Sequence, residues 1–416
     1  MKVGIIGNMN NMYFSLTRYL LDLGYDCDQL IFDYEPAHFH PSSDSNNAKL
    51  INHCKELSWG DPARFLHLNF SQIKKDLEPY SFLIGSGPAP AFVNRIGRKL
   101  DIFIPYGDDL YSLPFFRIVH PVRTPAYLAL AYYQMKGIRE TPYVIFDKTN
   151  VRFEKIFAKL KYKGQRIFSP PPLLYHKEYA AEKMIKNEKD NPRLSVMRKL
   201  RADNDLVIVQ HIRQLWKRHS DIWSNKGNDK LIKGFADFIN MHPGIKAKLI
   251  LFEYGTDVQY SRQLIDQLGM QENVVWFSKM PRKHIMYVID NCDMVVGELI
   301  HSWLTYCVVF EALCMGKPLM HKRIDKDFTE EYTNLYPMIY ADSQETILEG
   351  LKQLLKKKEE LIQLGIKGKE WFLHYGVKKP VDHIVEIIKK KTGVGLMISE
   401  HLSLLSNTKE GLNKYR

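Results

Sequence analysis

Along the 416 residues, short apolar runs alternate with stretches in which apolar residues recur every three or four positions. That is the pattern of strands and amphipathic helices that builds parallel sheets covered on both faces. Val3 to Ile6 reads as the first strand; after the loop Gly7 to Asn11, Met12, Leu16, Leu20 and Leu23 repeat at helical spacing until Gly24. Further strands are expected near Gln29 to Phe32, Phe82 to Ile84, Ile102 to Pro105 and Tyr143 to Phe146, with helices around Ala89 to Arg98, Thr124 to Met135 and Asn150 to Lys163. Ser169 to Pro172 breaks the alternation as a stiff connector.

A second alternation then runs through strand Leu206 to Gln210, helix Asp229 to Ile239, strand Ala247 to Phe252, helix Asp257 to Leu268, strand Asn273 to Phe277 and helix Arg282 to Ile289. Asp293 to Gly297 reads as a buried parallel strand and Leu304 to Met315 as the helix after it, stopped by Gly316 and Pro318. Ser343 to Lys391 is helical by period, with lysine runs on its solvated faces and ends. The fold class expected is α/β: two Rossmann-like domains whose parallel sheets face each other across a cleft, residues 1–172 and 173–375, then a helical segment, 376–416, crossing back to the first. A hydrophobic content of 45% suffices for two cores.

The net charge of +12 invites an acidic partner. The excess is local: residues 115–175 carry eleven Lys and Arg against three Asp and Glu. Between Phe115 and Arg139, the cations Arg117, Arg123, Lys136 and Arg139 lie among Phe115, Phe116, Tyr127, Tyr132 and Tyr133 with no acid. This suits either an anionic membrane surface or a packed helix with a basic rim. No nucleic-acid module is recognisable, so no nucleic-acid partner is expected. Five scattered cysteines without a CxxC pair read as reduced thiols. No apolar run reaches the roughly 18 residues of a membrane span, and the N-terminus reads as a strand. The expected location is the cytoplasm, with peripheral attachment at the inner face of the membrane as a possibility.

Chemistry should gather beyond the carboxyl ends of strands. Arg213 follows the Leu206 strand and Lys226 opens the next helix, so the pair could neutralise a diphosphate or be surface cations. Glu311, among Val308, Val309 and Phe310, needs hydrogen-bond donors. Ribose hydroxyls would serve, and so would a cation on a neighbouring helix. Ser302, Trp303, Leu304 and Thr305 would occupy the N-terminus of the Glu311 helix, where unpaired N–H groups favour phosphate. In the first domain, Asn8 and Asn10 in the first loop and Tyr106 and Asp108 after the Ile102 strand are the acceptor or cleft candidates, and Asp109 is a catalytic candidate with Arg213 and Lys226. One Asp either bonds sugar hydroxyls or makes an Asx turn. Gly4 to Gly7 lacks dinucleotide spacing, although Asp33 sits where a ribose-binding acid would be expected. Gly85-Ser86-Gly87 is a tight turn or an anion cradle. Asp26-Cys27-Asp28 and Asp203-Asn204-Asp205 are expected in turns preceding strands, and so are not read as metal sites.

These residues, in this order, resemble the GT-B glycosyltransferases, especially a bacterial and archaeal branch of glycosyltransferase family 4, over roughly 1–390. The resemblance is carried by Gly7 to Asn11, Tyr106 to Pro114, Phe252 to Val258, Trp276 to Ile285 and Glu311 to Met320. It implies that Arg213 and Lys226 hold the diphosphate, that Glu311 is the second Glu of the E-x7-E signature, and that Asp109 is the Asp of the first domain's Gly-x-Asp turn. Trp303 stands where the first Glu would fall, with Glu298 five residues earlier a partial replacement. His301 to Leu304 replace the usual glycines, Tyr106 stands for the family's His, and His219 to Asn225 lengthen the Arg213–Lys226 spacing. The activity implied is a retaining transfer, without metal or cofactor, from a nucleoside diphosphate sugar to a glycan or lipid-linked acceptor. A nucleotide-sugar 2-epimerase and a non-catalytic binding protein of the same fold are the alternatives.

Overall fold

The computed structural model describes residues 1–115, 122–148, 151–180, 183–184, 191–218 and 224–393. They divide into two compact units: Met1–Tyr175 with the described part of the segment from His374, and His176–Leu373.

In the first unit, β1 (Lys2–Ile6), β2 (Asp26–Ile31), β3 (Cys54–Glu56), β4 (Phe82–Gly85), β5 (Ile102–Phe103), β6 (Tyr143–Phe146) and β7 (Gln165–Phe168) form one sheet in the order β3-β2-β1-β4-β5-β6-β7. Every neighbouring pair is parallel. The Met12–Asp22 helix is buried continuously from Met12 to Leu20, which leaves it no wet face. Aromatic edges fill the space above the sheet: Trp59 lies 5.8 Å from Phe32 and 5.5 Å from Phe92 between ring centroids. The Lys379–Thr392 helix belongs to this unit, where Lys391 pairs with Asp101.

The second unit's sheet holds β8 (Leu206–Gln210), β9 (Ala247–Glu253), β10 (Val274–Ser278), β11 (Met294–Val296), β12 (Leu319–His321) and β13 (Ile339–Tyr340) in the order β10-β9-β8-β11-β12-β13, again all parallel. Leu231, Phe235, Leu249, Met294 and Ile347 are among its wholly buried core residues. Ser343 and Thr346 close a reciprocal cap on the Gln344–Lys356 helix.

Four expectations are corrected. Asp26, Cys27 and Asp28 are not in a turn but in β2 itself, and Asp28 is buried there because Lys2 and Lys55 on the flanking strands reach it at 3.0 and 2.8 Å and the Tyr80 hydroxyl donates at 2.8 Å. The helix bearing Glu311 spans Cys307–Cys314, not Leu304 to Met315. Tyr306 is fully extended and caps it. The helix expected to run to Lys163 ends at Lys159, its start at Asn150 lying outside the described residues, and the Thr124 helix is longer, to Glu140. All five cysteines are free thiols. No described helix is long and apolar enough to cross a membrane.

Candidate functional site

In each sheet the strand order reverses once, between β1 and β4 and between β8 and β11. Such a reversal opens a crevice at the strands' carboxyl ends. The loops after these strands carry most of the sequence candidates.

In the second unit, Arg213 lies three residues past β8. It is exposed, and it makes no hydrogen bond or ion pair with any described residue. Lys226 is instead engaged: its Nζ lies 2.8 Å from Glu298 Oε2, on the loop after β11. Glu298 is pinned on every side. Its N–H donates to the Tyr306 hydroxyl at 2.7 Å and its carbonyl accepts from Lys322 N–H. The absence of a Cβ at Gly297 permits this, because a side-chain carbon there would lie 2.3 Å from the Tyr306 oxygen. Glu298 Oε1 is buried and without a hydrogen-bond partner among the described residues. Beneath the loop, Gln210 donates to the Gly297 carbonyl and accepts from Asn228, which in turn accepts Leu215 N–H.

The Ser302–Thr305 stretch does not supply helix N–H groups, since the helix starts at Cys307. Ser302 accepts Ile324 N–H, Leu304 is wholly buried with its carbonyl accepting the Tyr336 hydroxyl, and Trp303 is half-buried beside His301. Only Thr305, Trp303 and Ser302 retain partial exposure.

Of the two readings of Glu311, the structure shows the neighbouring cation. Oε1 accepts Arg282 Nε at 3.0 Å from the Arg282–Asp290 helix, and Oε2 lies 2.6 Å from His211 Nε2. Burial pushes this carboxyl up, but the interactions with His211 and Arg282 outweigh it and hold it below its ordinary range. Neither partner was evident in the sequence. Arg282 lies 29 residues away and His211 100, and only the sheet order brings them together.

Asp257 was also missed. Its Oδ2 accepts the N–H groups of Trp216, Lys217 and Arg218 at 2.8, 2.6 and 2.9 Å, which fixes the loop that carries Arg213. Gly255 passes so close to Gln214 that a Cβ would meet its carbonyl oxygen at 2.3 Å. Of the inserted stretch His219 to Asn225, residues 219–223 lie outside the described residues.

In the first unit, Asp109 is wholly buried. Its oxygens accept Gly107 N–H at 2.9 Å, Gly87 N–H at 3.0 Å and Tyr106 N–H at 3.1 Å. Of the two roles open to an Asp here, a bond to a sugar or acceptor and a turn, the bonds present are to the backbone: they join the loops after β4 and β5. Asp108 is the exposed acid of the pair. Asn8 is engaged as well. It is buried, donating to Asn11 and the Phe39 carbonyl and accepting Phe14 N–H. Asn10 is exposed in the left-handed region at φ 50°, and Tyr106 is half-buried. Asp33 is exposed.

Asp109→Asn would turn one acceptor oxygen toward donors as an N–H2 group. Leaving one or two buried amide donors unpaired should cost about 2–4 kcal/mol, read from urea unfolding; a loss under about 0.5 kcal/mol would show that solvent replaces these bonds.

A further consequence concerns pH. Burial pushes Asp109 up to about 7 against the pull of its three N–H donors, and pushes Glu35 up to about 8 against that of Asn8 N–H. Both therefore hold protons in the folded state at pH values where the unfolded chain, with ordinary values of 3.8 and 4.5, has released them. Stability conferred at low pH should thus fall as pH rises from about 4 to about 8 and then level off. Melting temperatures across that window check it, and Glu35→Gln should remove the upper part of the decline.

The basic stretch 115–139 is described only in part; residues 116–121, Arg117 among them, lie outside the described residues. The Thr124–Glu140 helix buries Ala126, Leu130, Gln134 and Ile138, and Arg139 donates to the Leu160 carbonyl. Arg123, Tyr132 and Lys136 remain exposed.

No protein-family model and no curated protein matches the sequence. Solved structures do. HepE of Anabaena in complex with UDP is 13% identical with a TM-score of 0.60, covering 94% of this chain and 100% of its own; the same protein was also solved with UDP-glucose. UDP-GlcNAc 2-epimerase from Neisseria meningitidis bound to UDP-GlcNAc is 13% identical with a TM-score of 0.56, covering 94% and 100%. Sucrose-phosphate synthase from Thermosynechococcus elongatus is 13% identical with a TM-score of 0.54, covering 94% and 98%. The likeness, which runs along nearly the whole chain, shows the fold: two parallel α/β units of the GT-B kind with a helical C-terminal segment.

Proposed function

We propose that the chain is a glycosyltransferase that takes a nucleoside diphosphate sugar at the β8/β11 switch point and passes the sugar to a glycan or lipid-linked acceptor. The observation that carries this reading is Arg213: an exposed guanidinium, bonded to no described residue, past the end of β8, where an open α/β sheet receives phosphate. Related folds solved with UDP and UDP-glucose point to the same ligand class.

In the proposed reaction the acceptor hydroxyl attacks the anomeric carbon from the face the nucleotide leaves. The carbon–oxygen bond to the diphosphate breaks, and a diphosphate oxygen takes the acceptor's proton, so configuration is retained. Arg213 and Lys226 neutralise the departing diphosphate, the electrostatic contribution that often dominates such catalysis. Lys226 is already held by Glu298, so it is positioned before the donor arrives. Glu298 Oε1 and the exposed edges of Ser302, Trp303 and Thr305 offer the remaining donor contacts, and no metal or cofactor enters the scheme. Asp109 and Glu311 act here as positioning residues, holding loops and a helix in place.

Melting measured with UDP, GDP, ADP and their sugars tests the reading. The matching nucleotide at 100-fold over its Kd should add about 2.7 kcal/mol of apparent stability; no rise with any of them would sink it. The second reading, a 2-epimerase, is favoured by the likeness to UDP-GlcNAc 2-epimerases. Incubation with UDP-GlcNAc alone separates them: epimerised sugar supports the epimerase, and turnover only after acceptor is added supports transfer. Attachment to an anionic membrane through Arg123, Tyr132 and Lys136 belongs to the same proposal, and absence of binding to anionic vesicles at low salt would remove it.

A further inference from the structure

The first unit carries a carboxyl group that none of these roles uses. Glu35 lies on the loop after β2, at the carboxyl end of the sheet beside the β1/β4 reversal. Its Oε1 accepts Asn8 N–H at 2.6 Å, which anchors the group to the loop after β1. Its Oε2 is buried and has no hydrogen-bond partner among the described residues. No described cation pairs with it. The titratable groups that feel its charge are the phenols Tyr13, Tyr34 and Tyr106. Tyr34, its neighbour, is 40% exposed while its ring stacks on buried Phe32 at 5.7 Å.

A buried oxygen with an unused bond, next to a braced and exposed aromatic ring, is what a pyranose needs. The ring's apolar face covers the sugar's C–H face, and the carboxyl engages a hydroxyl. We infer that Glu35 and Tyr34 form a subsite in the first unit for an uncharged sugar of the acceptor, with Glu35 Oε2 bonded to one of its hydroxyl groups and Tyr34 stacked beneath the ring. Burial keeps the Glu35 carboxyl protonated up to about pH 8. It therefore donates Oε2–H to a hydroxyl oxygen at neutral pH and offers no charge to an ammonium group. A carboxylate-bearing sugar finds no described cation at Glu35 to compensate it. The inference rests on the sugar-transfer reading for calling the bound sugar an acceptor, but the subsite is tested without it.

The probes are the methyl glycosides of glucose, galactose, mannose and N-acetylglucosamine, with methyl glucuronide and methyl glucosaminide as charged controls. Binding to the full chain is followed at pH 7 by saturation-transfer NMR. At least one neutral glycoside is expected to bind. Glu35→Ala and Tyr34→Ala should each weaken it at least tenfold, whereas Glu35→Gln, which can still accept Asn8 N–H and donate to a hydroxyl, should stay within threefold. Unchanged binding in Glu35→Ala, loss in Glu35→Gln equal to that in Glu35→Ala, stronger binding of the charged controls, or no binding of any neutral glycoside to the wild-type chain would each overturn the subsite. Nucleotide-induced melting shifts, measured on the same variants, should be unaltered. If glycosides bind as expected while no nucleotide shifts the melting of any form, the transfer reading fails and the sugar subsite stands.

Discussion

Arg213→Ala should lower turnover with the matching nucleotide sugar by about two orders of magnitude or more, the cost typical of removing one preorganised donor to developing negative charge. It should leave melting unchanged. The second half follows from its setting: the guanidinium is exposed and bonded to no described residue, so its removal breaks no bond to a described residue. Arg213→Lys should restore only part of the rate, because an ammonium provides the charge but not the fork that grips two phosphate oxygens. Steady-state kinetics and a melting curve on the same preparation suffice. A variant with full activity would detach Arg213 from the leaving group, and one that melts early would show an unseen structural role.

Arg282→Ala should have the opposite signature, costing about 3–5 kcal/mol of stability. Arg282 Nε and His211 Nε2 are the side-chain partners of Glu311's two oxygens, and Glu311 is buried. Removing the cation leaves a carboxylate in an apolar helix packing with only an imidazole to answer it. Replacing both members by apolar residues, Arg282→Met with Glu311→Leu, should recover much of the loss, since matched apolar packing often equals a buried pair. Guanidinium unfolding provides the measurement. A loss below about 1 kcal/mol in the single variant would mean that water reaches the pair.

The parts of the fold legible in the sequence were those whose burial leaves a mark on one strand alone. Val3 to Ile6, Leu206 to Gln210 and Ala247 to Phe252 are apolar runs because both faces of a central parallel strand are covered, and each became a strand within a residue or two. β3 and β7 were missed because they are edge strands: Cys54-Lys55-Glu56 and Gln165-Arg166-Ile167-Phe168 have one open side and no apolar run. At the candidate site, a rule about strand ends located the loops after β1, β4, β5, β8 and β11. It could not assign bonds within them. Asp109 and Asp257 look like surface acids in sequence, and each gathers three backbone N–H groups, Asp109 from two loops and Asp257 from one. Glu311 was rightly marked as needing donors, yet which donors depended on β8 lying beside β11.

Asp28 settles how the first sheet can be assembled. It is the middle member of a row running across three strands, with Lys2 of β1 on one side and Lys55 of β3 on the other. Sliding either outer strand by one residue would turn its lysine to the opposite face and take one of the two cations from a buried carboxylate. Mispaired arrangements are thereby penalised. The row acts as an alignment key, read once as the sheet closes, and the same acid that resembles half a metal motif is what makes the alternative pairings too costly to persist.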